Sequence, residues 1–357
     1  MPELSLLTIA DHQSWHVVLE RIGIRDIMFQ PCYAEVFERY GEGRAHAVVY
    51  RVGNHELLYP FILRPIDPTL LDQAGLSAGR FDLCTPYGYG GYVHNVPAAQ
   101  AKPFLAGFRQ AFTERMRAHG AVSEFIRFQP MLRNHLGSEG LLTSLSLHSL
   151  NIVLSLDAND DEILRRCRAS YRQCIIKAKA AGLELRQGMT PEALTTFCHL
   201  YDLTMRKHNQ TGYLNFPERF FTLLARALGG DLLLFSIENT GKTVASALFL
   251  RCGSYLEYFL AASDPEATAE HPNHLLIFEV AKWARSEGFK SIHLGGGSET
   301  LVFFKKGFSR DIREYFIGKH IFDQDAYERL TVAHYRCANR DWTPSSDPFF
   351  PGYRNKF

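Results

Sequence analysis

The chain has 357 residues, of which 46% are hydrophobic and 22% charged, and its formal net charge at pH 7 is +1. This length gives room for two domains, and the composition is that of a globular protein rather than a disordered one. The near-neutral charge excludes a global attraction to nucleic acid or to an anionic membrane, so a polyanion would have to bind a local basic patch.

Cysteine usage and apolar segments narrow the class of protein further. The seven cysteines are scattered and include no CxxC pair, which argues against a disulfide framework and against a zinc ribbon. The N-terminal residues lack the basic and apolar regions of a signal peptide, and no apolar run is long enough to span a bilayer. We therefore expect a cytoplasmic protein without stable membrane insertion.

The first half of the chain predicts a helix, a β-hairpin, a second helix and a strand. The hairpin turns at Gly53-Asn54, residue types that adopt positive φ readily, and Gly120 ends the second helix. In chain order the residues are 31–40 for the first helix, 45–51 and 56–64 for the hairpin, 104–119 for the second helix and 124–128 for the strand.

The second half predicts the same order, with additional elements. Its hairpin turns around Gly241, and Gly288 ends the helix that follows. In chain order the residues are 190–207 and 217–228 for two helices, 231–238 and 243–251 for the hairpin, 255–262 for a third strand, 274–287 for the next helix and 291–294 for the last strand.

The repeated element order indicates a duplication. Helices, an antiparallel meander, a crossover helix and a strand predict an α/β (α+β) fold of tandem GNAT-like (acyl-CoA N-acyltransferase-like) domains, with mixed, mostly antiparallel sheets flanked by helices. We predict an N-terminal domain at residues 1–150, a C-terminal domain with the catalytic channel at 151–340, and an extended or partly disordered tail at 341–357.

Two neighbouring segments of the second half are candidates for chemistry. Gly295-Gly296-Gly297 follows the last predicted strand and can present backbone N–H groups to an anion or a carbonyl, although a mobile loop can have the same composition. Lys305 and Lys306 then stand among aromatic residues, which predicts that one of the two points inward toward an anionic or carbonyl group. The alternative is a strand whose lysine simply faces solvent.

A basic stretch and a tyrosine-rich loop are candidates for binding. On one helix, Arg165, Arg168, Arg172 and Lys179 would share a face that could contact tRNA phosphates or a pyrophosphate, and a solvated helix face is the alternative. Residues 85–92 combine glycines with three tyrosines, which favours stacking on a sugar or uracil ring.

Several well-known motifs are missing. The sequence contains no GxSxG, HExxH, GxxxxGK[ST] or GxGxxG pattern. His271 and His274 form an HxxH pair, but the sequence shows no third or fourth ligand beside them, so we predict no metal site.

Together these segments resemble the Fem-like branch of the GNAT acyltransferase superfamily, which includes the enzymes that form the interpeptide bridges of peptidoglycan. The resemblance spans nearly the whole chain, and its most specific part is the segment from Gly295 to Phe308. The other matching segments are Ser170-Tyr171-Arg172 with Lys177-Ala178, Leu200-Tyr201 with Thr204-Met205-Arg206, Tyr255 with Tyr258 and Ala261, Asn273 with Leu276 and Glu279, residues 85–91, and residues 124–128.

The resemblance implies an acyltransferase without a covalent enzyme intermediate, in which an amine attacks an activated ester. The catalytic residues it implies are Lys305, which would line the channel beside the reacting carbonyl, Tyr258, and Gly296, whose amide would help to stabilise the oxyanion. The substrate-binding residues that it and the motifs suggest are Arg206, Arg172, Tyr87, Tyr89, Gly295, Gly297 and Phe304.

The donor and the acceptor remain open at this point. One hypothesis is transfer from aminoacyl-tRNA to an amine of a nucleotide-linked sugar or cell-wall precursor, and the other is an acetyl-CoA-dependent N-acetyltransferase of surface polysaccharide biosynthesis. The pyrophosphate signature [QR]xxGx[GA] of acetyl-CoA enzymes is missing, and Pro272-Asn273-His274 stands in its place. The chain also lacks the coiled-coil arm of many bridge-forming enzymes, and Gly91-Tyr92-Val93 stands where they carry an acidic residue. A binding module without chemistry is the third hypothesis, and no tightly bound cofactor is predicted.

Overall fold

The computed structural model describes residues 2–207, 215–343 and 349–356. They form two compact units, the first made of Met1–His148 and Tyr315–Phe357 and the second of Ser149–Glu314. The chain leaves the first unit within one strand, β7, and returns to it within another, β13. The strands are β1 (Glu3–Thr8), β2 (Arg44–Val52), β3 (His55–Pro65), β4 (Phe81–Cys84), β5 (Val93–His94), β6 (Ala121–Arg127), β7 (Ser144–Ser155), β8 (Glu184–Gln187), β9 (Leu232–Asn239), β10 (Lys242–Cys252), β11 (Tyr255–Ser263), β12 (Ser291–Gly295) and β13 (Asp311–Ile321).

The helices lie before, between and after these strands. None of the helices in the described part of the chain has the length and apolar character needed to cross a bilayer. They are α1 (His12–Ile22), α2 (Pro31–Tyr40), α3 (Pro68–Gln73), α4 (Ala98–Ala118), α5 (Asp160–Arg166), α6 (Ala169–Ala180), α7 (Pro191–Lys207), α8 (Glu218–Leu228), α9 (Pro272–Ser286), α10 (Glu299–Lys305) and α11 (Gln324–Cys337).

The first unit is built on a sheet in which β1, β2, β3, β4, β6 and β13 follow one another, with β5 paired to β3. Only β4 and β6 are parallel, and the other neighbours are antiparallel. Helix α4 precedes β6 and buries Leu105, Phe108 and Phe112 in the same apolar cluster as Tyr59 of β3 and Ile126 of β6. Burial of these large side chains holds the helix on the sheet.

The second unit repeats this plan, with β8, β9, β10, β11, β12 and β7 in order across its sheet. Here β11 and β12 are the parallel pair, and β7 adds antiparallel to β12. Helix α9 crosses between them and buries Leu275, Phe278 and Ala281 against Phe235 and Phe249. The predicted hairpins, Gly-capped helices and tandem α/β fold are therefore confirmed.

The domain boundaries differ from the prediction at the C-terminal end. The division between His148 and Ser149 lies next to the predicted boundary at residue 150, but the second unit ends at Glu314 rather than at residue 340. The reason is the pairing of β13 with β6, in which Ile317 lies opposite Arg127. Strand β7, which follows the first repeat in sequence, thus completes the sheet of the second unit. Strand β13, which follows the second repeat, completes the sheet of the first unit.

The predicted tail is also corrected where the structure describes it. Residues 349–356 do not run extended over the surface, because they pack on the first unit. Tyr353 is only 3% exposed, and its hydroxyl lies 2.7 Å from Ser123 Oγ. Arg354 donates to the buried Asp82 carboxylate and to the Pro65 carbonyl. Tyr353 of this segment therefore belongs to an apolar cluster of the first unit, and Phe350 packs against that cluster.

Candidate active site

The predicted catalytic residues lie around the end of the parallel strand pair in the second unit. The register of the pair places Glu257 of β11 beside His293 of β12. Strand β12 ends at Gly295, Ser298 caps the start of α10, and Lys305 is the last residue of α10. Loops that follow parallel strands are a common place for ligand sites in α/β sheets.

Lys305 is the chemical centre of this group. It is only 9% exposed, and its Nζ donates a 2.6 Å hydrogen bond to the Gly296 carbonyl. The Tyr258 ring centre lies 5.7 Å from the same Nζ. Burial lowers the pKa of the Lys305 ammonium from its ordinary value of 10.5 to about 8, and the Glu257 carboxylate opposes this shift. The structure thus brings Lys305, Tyr258 and Gly296 together.

The two adjacent lysines have opposite environments. Lys305 is buried and Lys306 is exposed, as predicted for a pair of which one member points inward. The segment is a helix rather than a strand, and its Phe303 is 61% exposed. A helix separates neighbouring side chains by about 100° around its axis, which explains the contrast between the two lysines.

A buried polar network stands beside Lys305, and the sequence analysis did not identify it. The His293 Nδ1 atom lies 2.5 Å from the Glu257 carboxylate, and its Nε2 lies 3.1 Å from Asn151 Nδ2. An amide nitrogen can only donate, so Nε2 accepts and Nδ1 carries the proton that it donates to Glu257. The network stands close to Lys305, because the Glu257 carboxylate acts on the Lys305 ammonium.

The sequence did carry a signal for this network. Glu257 stands within the mostly apolar strand β11 and His293 within β12, and both are almost completely buried. Charged side chains are rarely buried unless they are paired. The partners were not recognisable, because they lie on strands 36 residues apart whose register only the folded sheet defines.

Gly296 is required by its surroundings. A Cβ atom on this residue would lie 2.5 Å from Asn151 Oδ1. We expect Gly296→Ala to lower the free energy of unfolding by about 1–3 kcal/mol through overpacking, and to slow catalysis by displacing the carbonyl that holds Lys305. Gly230→Ala is the control, since nothing lies within 4 Å of that site. Urea unfolding measures both, and equal stabilities of the two variants would contradict the close contact.

Phe304 forms an aromatic wall with neighbouring helices. Its ring centre lies 5.8 Å from that of Tyr171 on α6 and 5.1 Å from that of His274 on α9. Gly307 follows directly, and a Cβ atom there would lie 2.0 Å from the Tyr171 ring. The predicted substrate residue Phe304 is thus part of a packed cluster next to Lys305.

The predicted single basic helix is wrong. The stretch divides into α5 and α6, and the backbone of Cys167 and Arg168 between them is extended. The cause is tertiary, because the Arg168 N–H donates to the Gly307 carbonyl at 2.8 Å instead of continuing α5. Arg165 and Lys179 therefore do not lie on one helix.

The predicted basic and substrate-binding side chains of α5, α6 and α7 contact different partners. Arg172, a predicted substrate ligand, donates through Nη1 to the carbonyls of Arg165 and Cys167 and so caps the end of α5. Lys179 forms a 2.6 Å ion pair with Glu279. Arg206, the predicted pyrophosphate ligand, is 75% exposed near the end of α7, where it pairs with Asp202.

The tyrosine-rich loop belongs to the first unit, and its tyrosines differ in role. Tyr87 and Tyr89 are half-exposed, whereas Tyr92 is completely buried in the core. The Tyr87 carbonyl accepts a 2.6 Å hydrogen bond from the Tyr33 hydroxyl, which fixes the loop. The Tyr89 ring lies edge-on to Tyr315 at 5.1 Å. Two of the three tyrosines are therefore partly exposed, and the third belongs to the core.

The comparison with family models identifies an acyltransferase domain in the second unit. Residues 165–306, within the second unit, match the family described as acetyltransferase (GNAT) domain. No curated protein matches the sequence.

Solved structures with the same fold include the crystal structure of FemX, with a TM-score of 0.68 and 16% identity over 91% of this chain and 99% of that chain. A conserved protein of unknown function from Bacteroides thetaiotaomicron has a TM-score of 0.53 and 13% identity over 90% of this chain and 100% of its own. The C-terminal domain (DUF2156) of an Agrobacterium fabrum protein assigned as a lysylphosphatidylglycerol synthetase has a TM-score of 0.50 and 15% identity over 85% and 91%. The predicted resemblance to the Fem-like branch is confirmed at the level of the fold.

Proposed function

We propose that the chain transfers an aminoacyl group from aminoacyl-tRNA to an amine of a cell-wall precursor or nucleotide-linked amino sugar. The observation that carries this proposal is the buried Lys305 ammonium, held at the Gly296 carbonyl beside Tyr258. A cation in a water-poor site stabilises developing negative charge far better than one in water. Acyl transfer to an amine develops such charge on the carbonyl oxygen.

The reaction is a direct displacement. The amine nitrogen attacks the ester carbonyl carbon, a C–N bond forms, and the carbonyl oxygen becomes an oxyanion. The Lys305 ammonium stabilises this oxyanion, and the C–O bond to the tRNA ribose then breaks as the carbonyl re-forms. The amine loses one proton and the departing ribose oxygen gains one, so an amide and a free tRNA hydroxyl result without an acyl-enzyme.

The exposed groups suggest what the substrates offer to the protein. Tyr87 and Tyr89 are half-exposed and suit the face of a sugar or a base. Arg165, Arg168 and Lys177 are exposed along α5 and α6 and suit a phosphate backbone, as does the exposed Arg206. Both substrates are cytoplasmic molecules, so we place the activity in the cytoplasm and in peptidoglycan or surface polysaccharide synthesis.

A second candidate donor is acetyl-CoA, because the matched family is described as an acetyltransferase domain. Its pyrophosphate would need free backbone N–H groups at the start of α9. That helix begins with Pro272, which has no N–H, and is preceded by His271 in the left-handed conformation rather than by a glycine-rich loop. The start of α9 therefore favours the aminoacyl-tRNA donor.

A donor panel tests the proposal. The purified full chain is given either radiolabelled aminoacyl-tRNA or radiolabelled acetyl-CoA, together with amine acceptors that include UDP-linked amino sugars and cell-wall precursors. We expect label to pass from aminoacyl-tRNA to an acceptor amine as a hydroxylamine-stable amide. Transfer from acetyl-CoA alone would replace the donor, and transfer from neither donor to any acceptor would overturn the proposed function.

A further inference from the structure

Three potential metal ligands come together in the second unit, on the side of α9 that faces α6. They are Cys174 of α6, His271 immediately before α9, and His274 in its first turn. One ligand atom from each lies within 4.8 Å of the other two, and all three side chains are partly buried. The fold therefore places Cys174 as a third potential ligand beside the HxxH pair, whose own segment contains no third ligand.

The local backbone explains how the two histidines converge. His271 has a φ of +58° and is the residue immediately before α9, and His274 follows three residues later in the first turn of the helix. Their ring centres are 5.5 Å apart. The Tyr171 ring at 4.5 Å and the Phe304 ring at 5.1 Å pack around His274 and restrict its orientation.

Ring packing positions His274 in this cluster. Among the residues that the structure describes, no side-chain hydrogen bond or ion pair satisfies Cys174, His271 or His274. Elsewhere in the same unit the buried His293 is bonded at both ring nitrogens. Within the described part of the chain, the thiol of Cys174 and the ring nitrogens of the two histidines are therefore available for coordination.

We propose that Cys174, His271 and His274 bind a Zn²⁺ ion with one position left open for water. A thiolate and two imidazoles are ligands that Zn²⁺ prefers, and three protein ligands with an open fourth position are a common arrangement. On a tetrahedral Zn²⁺ ion, with metal–ligand distances of about 2.0–2.3 Å, neighbouring ligand atoms lie roughly 3.3–3.7 Å apart. Because the ligand atoms lie within 4.8 Å of one another, each pair has to close by roughly 1.5 Å at most.

The bound ion would fasten α6 to α9 next to Phe304, one residue from Lys305. It would link α6, which carries Cys174 and Tyr171, to His274 of α9. Phe304 packs on both Tyr171 and His274, so the ion would hold the wall beside the proposed active site. The metal would act here through the position of these helices. Its binding is independent of which donor or acceptor the protein uses.

The experiment is a metal titration of the full chain, freed of any affinity tag and stripped with a chelator. Zn²⁺ is titrated in competition with a chromogenic chelator, and Co²⁺ is used in parallel because a cysteine thiolate on tetrahedral Co²⁺ gives characteristic absorption. We expect one equivalent of metal, a thiolate-to-cobalt absorption band and a higher Tm with Zn²⁺.

Two substitutions and one control decide the outcome. Cys174→Ser and His271→Asn should each weaken Zn²⁺ binding by at least about tenfold, and asparagine suits the left-handed backbone at residue 271. Cys198→Ser, at another half-buried cysteine of the same unit, should leave the affinity unchanged. Circular dichroism of the metal-free variants verifies that they fold. The proposal is overturned if the wild-type chain binds no stoichiometric metal, or if Cys174→Ser binds as tightly as Cys198→Ser.

Discussion

Replacing Lys305 by methionine is expected to lower the kcat/KM of acyl transfer by about 100- to 1,000-fold, which is the usual effect of removing one oxyanion donor. Methionine keeps an unbranched side chain, one heavy atom shorter than lysine, but removes the charge that Nζ carries at the Gly296 carbonyl. The expected loss is mostly in kcat, because the charge acts on the transition state rather than on bound substrate. Initial rates over a range of donor concentrations measure it.

The adjacent lysine gives a matched control. Lys306 is exposed and follows Lys305 directly, so Lys306→Met removes the same charge from the same segment without touching the buried site. We expect the rate of Lys306→Met to stay within about twofold of the wild type, and circular dichroism to show that both variants fold. Equal losses in the two variants would mean that general charge, and not the buried ammonium, supports the reaction.

The largest effect on stability is expected at a buried ion pair of the first unit. Arg109 of α4 makes two hydrogen bonds to Glu124 of β6, at 2.7 and 3.1 Å, and the two side chains are only 3% and 0% exposed. Arg109→Met leaves the carboxylate buried without its cation. We therefore expect the free energy of unfolding of the first unit to fall by about 3–5 kcal/mol.

A second substitution separates lost packing from the buried charge. In the double variant Arg109→Met with Glu124→Leu, no charge remains, and we expect most of the lost stability to return. Arg115→Met on the exposed face of the same helix should change the free energy of unfolding by no more than about 1 kcal/mol. Urea unfolding followed by circular dichroism compares the variants. A double variant less stable than Arg109→Met would contradict the account.

Local sequence signals predicted much of the fold. The hairpins β2–β3 and β9–β10 were recognisable because Gly53 and Gly241 mark their turns, and α9 because Gly288 ends it. The positions of β7 and β13 in the sheets were not recognisable. Their partner strands, β12 and β6, lie far away in sequence, and nothing in the composition of β7 or β13 specifies them. The same reason applies to the split between α5 and α6, which depends on a hydrogen bond to the distant Gly307 carbonyl.

The candidate site was predictable in part. The glycine run and the aromatic-flanked lysines suggested Lys305 and Gly296, and the resemblance added Tyr258. Glu257 and His293 were missed because each is a single polar residue on a strand, and only the register of β11 and β12 makes them a pair. Cys174 was missed for a similar reason, since packing of α6 near α9 brings it to the histidines.

The measurement that tests the central claim most directly is the pH dependence of kcat/KM, from about pH 6 to about pH 10, for the wild type, Lys305→Met and Glu257→Gln. Activity of the wild type should fall as the pH rises through about 8, because Lys305 loses its proton there. In Glu257→Gln the fall should begin at lower pH, since the carboxylate that supports the ammonium is gone. Lys305→Met should lack this fall, and the substrate amine titrates identically in all three. A wild-type rate that rises through pH 8, or a profile shared by the wild type and Lys305→Met, would contradict catalysis by the Lys305 ammonium.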